Sequence, residues 1–112
     1  MTDIQFIHSK RWRSVRAAVL RRDSYLDRVA LRYGKRITAD RVHHIFPREL
    51  FPEYTFEPWN LISVANATHN TLHDRSGQRL TAEGMRLLER TARRQGIKIT
   101  DEIIARLKDD QG

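Results

Sequence analysis

The chain has 112 residues, which is the length of one domain, and 39% of them are hydrophobic. It carries 21 Lys and Arg against 14 Asp and Glu, with five His and no Cys. A chain without thiols offers no disulfide, no thiolate zinc site, no iron–sulfur cluster and no Cys nucleophile. No apolar run is long enough to span a membrane and the first 20 residues lack the features of a secretory signal, so we expect a cytoplasmic protein.

The excess of positive charge favours a polyanionic partner, because Lys and Arg gain free energy by releasing counterions from phosphates. Residues 1–80 contain 14 basic and 8 acidic side chains, whereas residues 81–112 contain 7 and 6. We therefore expect nucleic acid to bind the first part of the chain. Residues 81–112 are expected to form a helical extension packed on the domain of residues 1–80.

The first predicted helix begins after Ser9, a favourable N-cap, and runs to about Asp23. Its apolar residues Trp12, Val15 and Val19 recur at helical spacing and form one stripe. Residues 25–33 are ambiguous between a short helix and irregular structure. Gly34 would end a helix there, because glycine tolerates the left-handed conformation.

Two short strands, at residues 41–45 and 61–64, are predicted to pair as a hairpin. The loop between them contains three prolines and many large apolar side chains, so we expect it to be ordered and packed on the domain. Three helices follow in the prediction: residues 65–75 ended by Ser76 and Gly77, a helix from Thr81 to just before Gly96, and a short one from Thr100.

Four of the five histidines, His43, His44, His69 and His73, lie within 31 residues. His69 and His73 are four residues apart on a predicted helix, so their imidazoles should share one face and offer two nitrogens to a metal. Neighbours on a strand point to opposite faces, so only one of His43 and His44 could complete a three-nitrogen site. The other could take a proton from water near neutral pH.

Each pair of histidines can also be explained without a metal. An isolated pair four residues apart on a helix is more often solvated or packed than metal-bound. The two pairs together, on a strand followed by a helix, favour a metal site. Three imidazole ligands leave a position open for water or substrate, as a catalytic site requires. His8 stands alone and is expected to be exposed.

Three segments resemble the HNH nucleases, whose motif is a ββα hairpin and helix around one divalent metal: Val42-His43-His44-Ile45, Trp59-Asn60-Leu61-Ile62 and Thr68-His69-Asn70-Thr71-Leu72-His73. The order of the histidines is similar to that of the nuclease colicins. Residues 5–77 look like the small HNH endonucleases of tailed bacteriophages and prophages, with matches at Phe6, Ser9, Trp12, Arg16, Val19, Leu20, Arg22 and Asp23. The resemblance implies an α+β fold: a small, mostly helical HNH nuclease domain at residues 1–80 around the ββα-metal motif.

By this resemblance, His44 is the general base that activates water, and His43, His69 and His73 are the metal ligands. Asn60 would tie together the backbone of the hairpin loop and hold His44 in place; without the family, it would be read as an ordinary turn residue. The implied reaction is hydrolysis of a DNA phosphodiester to a 5′-phosphate and a 3′-hydroxyl. The implied cofactor is one divalent ion, with Mg, Mn, Ni and Zn as candidates.

The sequence departs from most phage relatives, which hold a structural zinc between two Cys-x-x-Cys knuckles. The matching positions here are Asp27, Ala30, Ala65 and Thr68, so no structural zinc is expected. A structural zinc can contribute about 10 kcal/mol to a small fold. We expect the packed loop, the C-terminal helices and apolar contacts to compensate for its loss. The apolar contacts are those of Leu26, Val29, Leu31 and Tyr33.

Basic side chains around the motif and on the first helix are candidates for phosphate contact, although each could simply belong to a solvated face: Lys10, Arg13, Arg21, Arg41, Arg48 and Arg75. The chain shows no helix-turn-helix or zinc-finger pattern, so we expect weak sequence preference. The expected product of the endonuclease is nicked DNA. The family's genomic setting implies partners in DNA packaging, including the terminase, and hence the host cytoplasm as location.

These residues allow three functions to be compared. The favoured one is a metal-dependent DNA endonuclease, because the base, the Asn and three ligands are all present. The main alternative is an inactive HNH-fold module that binds DNA or organises a packaging complex. A purely structural zinc domain would have little use for His44 beside a ligand.

Overall fold

The computed structural model describes residues 2–74 and 79–109. A two-stranded sheet is surrounded by helices, which confirms the expected α+β class. The elements follow one another as α1 (Asp3–Ile7), α2 (Lys10–Arg22), α3 (Arg28–Arg32), β1 (Arg41–His44), β2 (Leu61–Val64), α4 (Asn66–Leu72), α5 (Ala82–Gln95) and α6 (Asp101–Asp109), with 3-10 turns at Pro52–Tyr54 and Pro58–Asn60. No helix in the described part of the chain combines the length and the apolar character needed to cross a bilayer.

The predicted hairpin is confirmed. β1 pairs with β2 in antiparallel register, with His43 opposite Ile62 and His44 opposite Leu61. The long loop between the strands is packed on the domain, as expected, because Phe46 and Phe51 are almost fully buried. Their aromatic neighbours hold the loop against the strand ends, with Phe46 contacting the rings of Phe51, Tyr54 and Trp59 edge-on.

Two groups of buried side chains form the core. One joins the hairpin loop and β2 to α4 and α5, through residues such as Phe46, Val64, Leu72 and Leu88. The other joins α1 and α2 to β2, through Phe6, Trp12, Val19 and Leu61. Helix α5 thus buries its apolar stripe in the same group of side chains as the hairpin loop and α4.

Helix ends follow the capping residues. The Ser9 hydroxyl accepts a hydrogen bond from the Trp12 amide at the start of α2. Gly96 adopts a positive φ of 71° directly after α5. The ambiguous stretch contains α3, and Gly34 beyond it has a φ of 78°. Helix α1 was not predicted; its capping box is made by Thr2 and Gln5.

The predicted helix over residues 65–75 is wrong at its C-terminal end. Helix α4 stops at Leu72, and His73 is extended, with φ −121° and ψ 153°. His73 forms an isolated antiparallel bridge with Leu80, and the Thr81 amide donates to the Leu72 carbonyl. The chain therefore turns toward α5 before it can continue the helix. The predicted stop at Ser76 and Gly77 lies outside the described residues.

The segments that match the zinc knuckles are joined by a carboxylate. Asp27 is fully buried, and its two oxygens accept hydrogen bonds of 2.8 Å from the amides of Ala30 and Ala65. The expectation of apolar compensation is wrong for Leu31 and Tyr33, which are 36% and 73% exposed. Val29 does pack against the main core.

Candidate metal centre and adjacent base

Three imidazoles converge between β1 and the end of α4. The ring nitrogens of His43, His69 and His73 that face one another all lie within 4.8 Å. Nδ1 of His43 is 3.3 Å from Nε2 of His73. His69 and His73 do not share a helical face as predicted, because His73 lies beyond the helix end. Their ring centroids are nevertheless 4.9 Å apart, since the extended residue turns its side chain back toward β1.

The geometry and chemistry of this histidine cluster fit a divalent cation. Two imidazole nitrogens bound to one tetrahedral ion at about 2.0–2.1 Å are separated by about 3.4 Å. The observed separation between His43 and His73 is 3.3 Å. The nitrogens on the other side of these two rings, Nε2 of His43 and Nδ1 of His73, are buried without a hydrogen-bond partner in the described part of the chain. A hydrogen bond between His43 and His73 leaves the third imidazole of the cluster outside the pair, whereas one cation can bind a nitrogen of all three rings.

The three rings are held neutral, as metal ligands must be. Burial lowers the pKa of His43 well below its usual value, and the nearby imidazoles lower it further. Burial also lowers the pKa of His69, with a smaller contribution from the charge of Arg41. For His73, burial outweighs the opposite effect of Glu49 and Asp74, and its pKa is lowered too.

His44 lies on the other face of β1, as alternation along a strand requires. Its ring stacks on Trp12, with 5.0 Å between centroids and 22° between planes. Its Nε2 lies 3.0 Å from the carbonyl oxygen of Thr55. A carbonyl can only accept, so Nε2 carries the proton and Nδ1 keeps its lone pair.

His44 is therefore a neutral and oriented base. Burial lowers its pKa to about 4; the Thr55 contact raises the pKa and the charge of Arg48 lowers it. The sequence marked Trp12 only as a core residue, and it carries no signal for the role of Thr55, because any residue type can supply a backbone carbonyl.

Asn60 is fully buried at the start of β2. Its side-chain oxygen accepts a 2.7 Å hydrogen bond from the Phe46 amide, and its side-chain nitrogen donates to the carbonyls of Phe46 and Tyr54 at 3.1 Å. These bonds join both ends of the long loop to the hairpin, next to the Thr55 carbonyl that orients His44. The positioning role that the family resemblance implies for Asn60 stays a prediction.

The basic residues expected to contact DNA are spread over the surface. Lys10, Arg13 and Arg21 are exposed on α2. Arg41 is also exposed, and its charge lowers the pKa of His69. The charge of Arg48 lowers the pKa of His44. The guanidinium of Arg48 also lies over the Phe6 ring and pairs with Asp3 and Glu49. Arg75 falls outside the described residues.

No protein-family model matches the chain, and no match is found among curated proteins. Among solved structures, the chain is similar to the crystal structure of the HNH endonuclease of the deep-sea thermophilic bacteriophage GVE2 with a manganese ion. The sequences are 36% identical, the TM-score is 0.58, and the match covers 60% of this chain and 73% of the phage chain. The chain belongs to the HNH endonuclease family. In this HNH chain, the histidine cluster comes from β1, from α4 and from the extended residue after α4, and the opposite face of β1 carries His44.

Proposed function

We propose that this protein is a divalent-metal-dependent DNA endonuclease that hydrolyses phosphodiester bonds. One observation carries the proposal: three converging imidazoles lie next to a separately oriented, neutral imidazole in an HNH chain. The manganese ion in the similar GVE2 structure supports a divalent cation as cofactor. Mg, Mn, Ni and Zn are the candidates.

In the proposed mechanism, His43, His69 and His73 would hold the cation through ring nitrogens. A bound divalent cation supplies neutralisation of charge on the phosphorane and on the leaving 3′ oxygen. Three protein ligands leave coordination positions for water or a phosphate oxygen. A single metal is proposed, because the described residues offer one group of three or more histidines, cysteines and carboxylates close enough to share an ion.

His44 acts as the general base. Its Nδ1 accepts a proton from the attacking water, the new bond forms between water oxygen and phosphorus, and the bond from phosphorus to the 3′ oxygen breaks. The departing 3′ oxygen takes up a proton from solvent, and His44 afterwards releases its proton to solvent. The products are a 5′-phosphate and a 3′-hydroxyl. The Thr55 carbonyl accepts a hydrogen bond from Nε2 and so keeps the ring proton of His44 on that nitrogen. Stacking on Trp12 limits the tilt of the His44 ring. Asn60 acts as a positioning residue through the loop that contains Thr55.

The finer features of the proposal concern the substrate. One hydrolytic centre acts on one strand at a time, so the expected product is nicked DNA with weak sequence preference. Residues 1–80 would carry the nuclease, and the extension of residues 81–112 would support it through α5. As the family resemblance implies, the cellular setting would be DNA packaging in the host cytoplasm.

Supercoiled plasmid provides the direct test of the proposal. Wild-type protein with Mg²⁺, Mn²⁺ or Ni²⁺ is expected to produce nicked circles. The His44→Ala variant should lose about 10²–10⁴-fold in rate, because it lacks the proton acceptor. The matched control is His8→Ala, which removes an exposed histidine and should cleave like wild type.

Metal binding supplies a second readout that does not depend on activity. The ion should raise the unfolding temperature of wild type and of His44→Ala, but not that of His73→Ala, because a ligand that binds only the folded state stabilises it. If wild type binds metal and DNA but leaves plasmid intact with every ion, the protein is an inactive DNA-binding or packaging module. If no ion shifts the unfolding temperature, the proposed metal site is wrong.

A further inference from the structure

A cleft of about 250 Å³ lies between α3 and α5, away from the histidine cluster. We call it the arginine cleft, because guanidinium groups dominate its walls: Arg28 and Arg32 from α3, and Arg90 and Arg94 from α5. Its apolar part is formed by side chains such as Val29, Ile62 and Leu87. It shares no residue with the histidine cluster.

The cleft offers positive charge with little compensation. Arg28 pairs with Asp23. Across residues 2–74 and 79–109, Arg32, Arg90 and Arg94 have no carboxylate within ion-pair distance. Nε of Arg90 is buried and has no hydrogen-bond partner in the same ranges. A buried donor without an acceptor is costly in a folded protein, so an occupant that accepts hydrogen bonds would remove a penalty.

The closely spaced arginines also destabilise the folded chain when no anion is bound. Arg28 and Arg32 are four residues apart on α3, as Arg90 and Arg94 are on α5, and like charges at this spacing destabilise a helix. The two pairs then face each other across one cleft. Burial lowers the pKa of Arg90, and the charges of Arg32, Arg94 and Arg86 lower it further. An anion between the helices would reverse this repulsion.

The chemistry of the walls narrows the kind of anion. Guanidinium groups are donors only, and their planar forks match two oxygens of a phosphate or carboxylate group. Several such groups along one cleft suit a chain of phosphates better than a single carboxylate.

We propose that the arginine cleft binds the phosphate backbone of nucleic acid as a second contact surface, separate from the histidine cluster. This proposal rests on the proposed function for the choice of DNA as the nucleic acid. It assigns a binding role to residues 81–112, where charge counting predicts none. An acidic protein is the competing occupant.

Binding to a labelled duplex of about 20 base pairs in EDTA tests the proposal without any cleavage. The test variant is Arg90→Gln with Arg94→Gln. Its matched control is Arg93→Gln with Lys98→Gln, which removes the same charge from exposed positions outside the cleft. The cleft variant should bind at least about tenfold more weakly, and the slope of log K against log salt should fall by about 2. In the control variant, the loss of affinity and the decrease in salt slope should each be less than half of those in the cleft variant.

A further variant, Arg32→Gln with Arg94→Gln, changes only exposed side chains and guards against misfolding of the Arg90 variant. Equal DNA binding by the cleft variants and the control would overturn the proposal. Binding of polyglutamate that is lost only in the cleft variants, with DNA binding unchanged, would overturn it in favour of an acidic protein. If the wild-type protein does not cleave plasmid, the proposed function is overturned instead. The DNA-binding measurements would still decide the role of the cleft.

Discussion

At the scale of single residues, His43 and His44 show how adjacent side chains of one type come to differ chemically. The alternation of β1 turns His43 toward α4, where it meets two other imidazoles. The same alternation turns His44 toward Trp12 and the Thr55 carbonyl. Strand alternation alone predicted that the two histidines would differ, but not which one would face which way; only the family resemblance assigned His43 to the ligands and His44 to the base. The contacts on the two faces of β1 determine which histidine points in which direction.

Asn60 is the residue whose loss should most disturb the site without touching the histidines. Replacing it with Ala leaves the Phe46 amide and the carbonyls of Phe46 and Tyr54 without their partner in a buried place. We expect Asn60→Ala to lower the free energy of unfolding by about 3 kcal/mol, measured by urea denaturation. Asn66→Ala, at an exposed position, should change it by less than about 0.5 kcal/mol. Equal effects of both changes would show that the buried bonds contribute little.

At the scale of elements, short carboxylate links hold the helices to the hairpin. The Asp27 side chain caps α3 through the Ala30 amide and also binds the Ala65 amide, directly before α4. This buried group joins the two segments that a structural zinc joins in the family members that carry knuckles. One carboxylate alone cannot hold a structural zinc, which takes four ligands. The Asp27 carboxylate instead binds the backbone directly.

The Asp27 link should carry a large share of local stability. Asp27→Ala leaves two amides without acceptors, one of them buried. The expected loss is about 2–3 kcal/mol of unfolding free energy. Asp40→Ala, which removes an exposed carboxylate, is the control and should be near neutral in the same denaturation experiment. A loss below about 0.5 kcal/mol for Asp27→Ala would mean that apolar packing replaces the zinc after all.

At the scale of the whole molecule, distant parts of the chain combine their charges. The count along the sequence placed the basic excess in residues 1–80. In the fold, Arg90 and Arg94 of α5 face Arg28 and Arg32 of α3. A nearly neutral segment thus contributes half the arginines of the most basic cleft described above, because its acidic residues lie elsewhere on its helices.

Asp23, at the end of α2, binds Arg28 of α3 and the Ser63 amide of β2, and it makes stability depend on pH. Burial would raise its pKa, but hydrogen bonds from Arg22, Ser63 and Arg28 outweigh burial and lower the pKa from 3.8 to about 2. The unfolded chain therefore takes up this proton first as the pH falls. The stabilisation is complete above about pH 4 and disappears as the pH falls toward 2; it amounts to about 2 kcal/mol.

Comparison of wild type with Asp23→Asn isolates this contribution. At pH 5.5 the difference in unfolding free energy should exceed about 2 kcal/mol, and it should shrink by about 2 kcal/mol when measured near pH 2. The measurement is urea unfolding across that range. A difference that stays constant with pH would indicate that the Asp23 carboxylate has the same pKa in the folded and unfolded states.

The sequence by itself determined the elements and the residue types of the site. Caps such as Ser9 and Gly96, and the alternation of the two strands, act within a few residues and can be read locally. Only the tertiary structure decided where α4 ends, how the Asp27 carboxylate joins α3 to the residue before α4, and which arginines meet across α3 and α5. Those outcomes depend on burial and on partners tens of residues away, and neither local propensity nor a charge count contains that information.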